Sequence, residues 1–295
     1  MKIDLHSHTH FSDGKLSVPE LLMRAEQMQV DYLAITDHDC VDAIAPALDF
    51  VKQQKKPKVS IVSGTEISTR WHGFEIHILG LDLDHTDIRL KERLASQIEK
   101  RSERALKIAA KLAKIGIHNV YEDAIKHVVS HEGNKACISR AHIAQVLVER
   151  ELCANFQQAF TRYLGAKKKA YVVPDWIDIP NAIKWIHEAG GKAVIAHPFH
   201  YDMTTKWLRK LANEFAQAGG DAMEVQHPNL AKAKHELMVD IAIEANLLGS
   251  SGSDFHGPSR WTELGRRLHI PANLRPIWEC FERNPIIQEK TPQGS

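Results

Sequence analysis

Histidines and carboxylates carry the chemistry that this sequence offers. The chain opens on Asp4-Leu5-His6-Ser7-His8-Thr9-His10-Phe11-Ser12-Asp13-Gly14. In an extended strand residues i and i+2 share a face, so His6 and His8 can approach one ion together. Asp13 follows in a loop where Gly14 permits a sharp turn. Further on, His38 stands in Thr36-Asp37-His38-Asp39, Glu66 in Gly64-Thr65-Glu66-Ile67-Ser68, and His77 in Glu75-Ile76-His77-Ile78-Leu79. His197 stands in Ala196-His197-Pro198, and Asp254 and His256, again i and i+2, in Gly252-Ser253-Asp254-Phe255-His256-Gly257. Alone, Glu66 reads as a solvated strand end and His77 as a satisfied core histidine, and no single fragment decides the matter. Together they form a set of nine imidazoles and carboxylates without cysteine. Such a set suits Mn²⁺ foremost, with Fe²⁺ or Zn²⁺ as alternatives. It is too large for one tetrahedral ion and fits two or three divalent cations, which can activate water and clamp phosphoryl oxygens.

These residues lie in or beside short apolar runs at 2–5, 32–35, 59–62, 75–79, 193–196, 222–225 and 247–248. Their length and polar bounding predict buried strands. Helical periodicity separates several of them, at 18–29, 179–189, 206–218 and 230–245. Alternating strand and helix predicts an α/β fold with a mainly parallel sheet, and seven strand-end sites suit a closed barrel with its chemistry on one rim. From 88 to about 171 only helical patterns appear. The run 89–115 repeats apolar residues at Leu90, Leu94, Ile98, Ala105, Ile108, Leu112 and Ile115, and stops at Gly116. The expected organisation is a barrel over 1–88 and 177–285, an inserted helical module over 89–176 that caps the substrate, and a frayed tail at 286–295.

The 295 residues are compatible with one barrel. Lys and Arg number 38 against 37 Asp and Glu, so no general field gathers double-stranded DNA or coats a membrane, and neither is an expected partner. No apolar run approaches the ~18 residues of a spanning helix, and the start breaks into charge too early for a signal peptide. The four cysteines form no CxxC pair and read as reduced thiols of a cytoplasmic protein. Residues 89–115 carry nine Lys or Arg and three acids; the pattern favours a solvated helix face over an RNA track. Arg140 reads equally as a phosphate fork or a surface arginine. Lys167-Lys168-Lys169 reads as a solvated loop before it reads as a guide for RNA phosphates. The other histidines read as surface residues, except His200 and His227, which follow strand ends.

At these motifs the sequence resembles the polymerase and histidinol phosphatase (PHP) family. The segments HSHTHFSDG, TDHD, GTEIS, HILGL, AHP and SDFH carry the resemblance, over 1–87 and about 177–270. It implies a distorted seven-stranded (β/α)7 barrel and a trinuclear site. His6, His8, Glu66 and Asp254 would hold one metal, Asp13, His38 and His256 the second, and Glu66, His77 and His197 the third. The helical insertion, with Ile138-Ser139-Arg140-Ala141-His142-Ile143-Ala144 and the later Tyr163-Leu164-Gly165, is similar to a bacterial subgroup of the family. That likeness implies removal of the 3′-phosphate from nucleoside 3′,5′-bisphosphates. It also implies 5′→3′ trimming of short or 5′-monophosphorylated RNA, with ribosomal RNA precursors among the partners. Arg140, His142 and Lys169 would bind substrate. A metal-bridging hydroxide would attack phosphorus, and His197 or His256 would protonate the leaving ribose oxygen. The chain departs from the subgroup at Ala141, where Pro is usual, and at Lys167–169, where a Gly/Pro-containing loop is usual. The competing readings are a small-metabolite phosphatase of the histidinol phosphatase type, a metal-dependent amidohydrolase, and a noncatalytic metal-stabilised module.

Overall fold

The computed structural model describes residues 1–130, 137–259 and 262–284; the tail at 286–295 and His131 lie outside them. In chain order the elements are β1 (Ile3–Asp4), α1 (Val18–Gln27), β2 (Tyr32–Ile35), α2 (Ile44–Gln53), β3 (Ser60–Trp71) and β4 (Phe74–Leu81). Four helices follow: α3 (Ile88–Ala113), α4 (Val120–Ser130), α5 (Arg140–Glu149) and α6 (Phe156–Ala159). The chain ends with β5 (Ile177–Asp178), α7 (Ile179–Glu188), β6 (Lys192–Ile195), α8 (Thr205–Gln217), β7 (Ala222–Gln226), α9 (Lys232–Glu244) and β8 (Leu248–Ser251).

Seven strands follow the order β1-β2-β3-β4-β6-β7-β8, and the two-residue β5 adds to β3. The ends of this path meet. Leu5 N–H donates to the Ser251 carbonyl at 3.1 Å, His8 N–H donates to the Phe255 carbonyl at 2.9 Å, and Ser7 bridges Phe255. The result is a nearly closed barrel wrapped by helices. Alternation along the strands decides which side chain goes where. Ile3, Leu5, Ala34, Val62, Leu79, Leu81, Val194 and Ala222 form one buried cluster with Ile277, Trp278 and Phe281. The opposite phase, Leu33, Ile35, Ile61, Ile78, Ile195, Met223 and Val225, packs with the helices.

The expectation of a mainly parallel sheet needs one correction. β4 runs antiparallel to both β3 and β6. Only His72 and Gly73 separate β3 from β4, with φ of 45° and 89°. Two left-handed residues make a tight hairpin turn, whereas a parallel pair needs a crossover of about a dozen residues or more.

The helices from 88 onward bring a second core. Leu90 and Leu94 of α3 belong to the barrel's core, while Ala105, Ile108 and Leu112 join Val120, Ala124, Ile143, Leu147 and Leu164 in a separate cluster. One long helix therefore anchors the other helices to the barrel. Its buried stripe is Leu90, Leu94, Gln97, Arg101, Arg104, Ala105, Ile108 and Leu112, at helical steps of three and four. Among the described residues no helix is long and apolar enough to cross a membrane.

Candidate metal centre

Glu66 sits in the middle of β3, 1% exposed, and five histidines surround its carboxylate. Oε1 lies 2.8 Å from His77 Nδ1 and 2.9 Å from His197 Nε2. Oε2 lies 3.0 Å from His38 Nδ1, 3.2 Å from His8 Nε2 and 3.4 Å from His6 Nε2. Asp254 Oδ1 is 3.4 Å from His6 Nε2 and 3.3 Å from His8 Nε2. Asp13 Oδ1 is 3.2 Å from His256 Nε2, and Asp13 Oδ2 is 3.7 Å from His38 Nε2. All nine residues picked out as ligands thus meet at one end of the barrel. Among the described residues, the ligand atoms of eight of them fall into three overlapping groups: His6, His8 and Asp254; His8, Asp13, His38 and His256; and His38, Glu66 and His77, while His197 joins through Glu66 Oε1.

The donor set fits divalent cations. Asp13 Oδ1, Asp254 Oδ1, Glu66 Oε2 and His38 Nδ1 are buried without a hydrogen-bond partner. His6 Nε2 and His8 Nε2 face each other at 3.1 Å. Buried lone pairs converging in this way carry a large desolvation cost unless positive charge lies between them. The electrostatics agree. Burial alone would push the Glu66 carboxyl up, yet His38, His77 and His6 hold it well below the usual carboxylate range. Burial alone would lower His256, but Asp13 and Asp254 push it up to about 10.

Buried carboxylates outside the ligand set position these groups. Glu224 Oε1 is 3.2 Å from His6 Nδ1, and Oε2 accepts from the His197 backbone N–H at 2.6 Å. This fixes the His6 ring with Nε2 toward the cluster. Asp37 accepts from Thr9 N–H at 2.8 Å, Thr9 Oγ1 at 2.6 Å and Ser12 Oγ at 2.5 Å, which ties down the loop carrying Asp13. A side chain at Gly14 would come within 2.4 Å of the His8 carbonyl oxygen, so that turn requires glycine. His197 and Asp254 hold left-handed backbone, with φ of 30° and 51°. Non-glycine residues adopt that conformation at a cost, and such strain clusters at functional sites.

The arginines expected on a solvated helix face lie beside the cluster instead. Arg101 NH2 donates to Asp39 Oδ2 at 2.5 Å and to Ser68 Oγ at 2.6 Å. Arg104 makes a two-pronged pair with Glu75 at 2.8 and 2.9 Å. Arg140 NH2 donates to the same Glu75 at 2.8 Å, and its guanidinium lies over the Phe160 ring. With Asp13, His38, His77 and Trp176 these three arginines line a cavity of about 170 Å³ that opens onto the ligands. Arg101, Arg104 and Glu224 carried no motif. Their signal was position: Arg101 and Arg104 fall on the apolar stripe of α3, and Glu224 interrupts an apolar strand.

The remaining expected contacts divide. His142 caps the start of α5, its Nδ1 accepting from Ser139 N–H at 3.0 Å, and burial pushes it down to about 4. It is uncharged at neutral pH and lines a second cavity, on the other side of Ala141 from Arg140. Lys169 is exposed in a turn and lines neither cavity. The His200 and His227 rings pack 5.2 Å apart, and His200 lies 6.0 Å from His197.

The chain is similar to known proteins along most of its length. Residues 4–173 match the PHP domain. A 5′-3′ exoribonuclease of Haemophilus influenzae is 44% identical over 280 residues, covering 95% of this chain and 99% of the relative. A 3′,5′-nucleoside bisphosphate phosphatase of Chromobacterium violaceum is 36% identical, covering 95% of this chain and 96% of the relative. A solved structure from Chromobacterium violaceum, described as an amidohydrolase with bound sulfate and no metal, superposes with a TM-score of 0.87 at 34% identity, covering 95% of this chain and 96% of that one. Nine converging ligands on a nearly closed seven-stranded barrel, together with these matches, establish that this chain belongs to the PHP domain family.

Proposed function

We propose that this chain is a metal-dependent phosphoesterase. It removes the 3′-phosphate of nucleoside 3′,5′-bisphosphates, giving the 5′-mononucleotide and phosphate, and trims short or 5′-monophosphorylated RNA from its 5′ end. One observation carries the reading: an arginine-lined cavity abuts the ligand cluster. Among the described residues, Arg101, Arg104 and Arg140 are balanced by two carboxylates outside the ligand set, Asp39 and Glu75. One positive charge is left over for an anion, and guanidinium geometry suits phosphate. A 5′-phosphate held at Arg140 would present the 3′-phosphorus of the same nucleotide to the cluster, whose Asp13, His38 and His77 line the same cavity. The names of the relatives point to the same two substrate classes.

Both reactions break the same bond. Water adds to phosphorus and the P–O3′ bond of the first nucleotide breaks, leaving a 3′-hydroxyl. Two or three divalent cations, Mn²⁺ foremost, would be held by His6, His8, Asp13, His38, Glu66, His77, His197, Asp254 and His256, supplying charge neutralisation and activation of water. Arg140 and Arg104 hold the 5′-phosphate, which fixes the distance to the reacting phosphorus. His197 or His256, both at the cluster, would protonate the leaving ribose oxygen.

The test is product analysis. Adenosine 3′,5′-bisphosphate and a 5′-phosphorylated oligoribonucleotide are offered with Mn²⁺. Adenosine 5′-monophosphate plus phosphate from the first, and successive 5′-mononucleotides from the second, are expected. Release of phosphate from histidinol phosphate in place of both would transfer the assignment to small-metabolite phosphatases.

A further inference from the structure

The ligand cluster opens on both sides of the start of α5. Arg140 faces the arginine cavity. Beyond Ala141 lies a larger cavity of about 640 Å³, with His10, Lys15, Gln145, Phe156 and His256 in its walls. Asp13 and Ala141 line both cavities, so the two adjoin at the cluster. Lys15 is exposed and makes no ion pair among the described residues. Phe156, at the start of α6, is 37% exposed. His10 carries a buried Nδ1 without a hydrogen-bond partner. A single exposed phenylalanine needs no explanation. An aromatic ring and an unpaired lysine in one cavity beside a phosphoesterase centre are another matter, because single-stranded nucleic acid is held by base stacking and backbone charge.

We infer that this second cavity is a subsite for the nucleotide that follows the scissile phosphate in RNA, with Phe156 stacking on its base and Lys15 meeting the phosphate beyond it. The inference rests on the phosphoesterase reading and deepens it. When water attacks and P–O3′ breaks, phosphorus keeps its bond to O5′ of the second nucleotide. That nucleotide therefore hangs from the reacting phosphorus and needs space on the far side of the cluster from the anchored 5′-phosphate. In a 3′,5′-bisphosphate a plain oxygen takes its place, and the cavity stays unused.

Initial rates on a 5′-phosphorylated trinucleotide and on adenosine 3′,5′-bisphosphate test this. Lys15→Ala and Phe156→Ala are expected to raise KM for the trinucleotide about 10-fold and to leave KM and kcat for the bisphosphate within about 2-fold. Phe156→Trp is expected to restore trinucleotide KM, since it keeps a stacking face. Bisphosphate turnover doubles as the check that each variant is folded. Equal increases on both substrates overturn the proposal, because the cavity would then hold the first nucleotide. No change on either overturns it as well. Wild-type chain that cleaves neither substrate overturns the phosphoesterase reading itself.

Discussion

Replacing Glu224 by Gln tests whether the cluster depends on the carboxylate beneath it. Glu224 is 1% exposed and has two jobs: one oxygen faces His6 Nδ1 at 3.2 Å and the other accepts from His197 N–H at 2.6 Å. A carboxylate can accept at both oxygens; an amide accepts at one and donates at the other. If the Gln oxygen keeps the His197 backbone, its NH₂ meets His6 Nδ1 and drives the ring proton to Nε2, the nitrogen that should face a metal. If the amide flips, the buried His197 N–H is orphaned, at a cost of about 1–3 kcal/mol. Either way the site is damaged. Loss of such a supporting group typically weakens metal affinity ~10–100-fold, which is about 1.4–2.8 kcal/mol. Calorimetric titration of metal-stripped protein with Mn²⁺ reads the affinity, and thermal melts without metal report on folding. Unchanged affinity in a folded Glu224→Gln variant would refute the positioning role.

Arg140→Ala should lower kcat/KM on adenosine 3′,5′-bisphosphate on the order of 10–100-fold, the value of one charge-assisted contact, and change p-nitrophenyl phosphate turnover little. Equal losses on the two esters would contradict the anchor role. Gly252→Ala places a methyl group 2.3 Å from His6 Cβ and 2.7 Å from Glu224 Oε1, so both must move. Overpacking of this kind costs about 1–3 kcal/mol, read as a Tm lowered by several degrees, together with weakened metal binding. An unchanged Tm would contradict the packing described around His6.

Much of the site was legible because its signals are local. The i, i+2 pairs His6/His8 and Asp254/His256 flank Ser7 and Phe255, which bridge each other just past β1 and β8, and their ring nitrogens and carboxylates do meet. Seven apolar runs mark seven strands, since burial inside a barrel leaves little room for polar residues. The direction of β4 was less visible because hydrophobic pattern says nothing of polarity along the sheet. Its clue was the two-residue His72-Gly73 link, too short for a crossover. β5 has only two residues, below any periodic signal. The arginines were misjudged for a physical reason. Nine basic residues over 89–115 average to a solvated face, yet a buried stripe admits Arg101 and Arg104 when Asp39 and Glu75 wait opposite. Those partners lie 62 and 29 residues away in the chain, so no local pattern pairs them. Glu224 was missed likewise: its partner His6 is 218 residues distant.

The measurement that bears most directly on the whole account is phosphate release from adenosine 3′,5′-bisphosphate as metal-stripped protein is reloaded with Mn²⁺, with bound metal counted in the same samples. Turnover should be negligible without metal and should saturate at two to three ions per chain, and His6→Ala or Asp254→Ala should bind fewer ions and lose activity. Full turnover by metal-free protein, or unaltered metal stoichiometry in both variants, would show that these residues do not form the centre described.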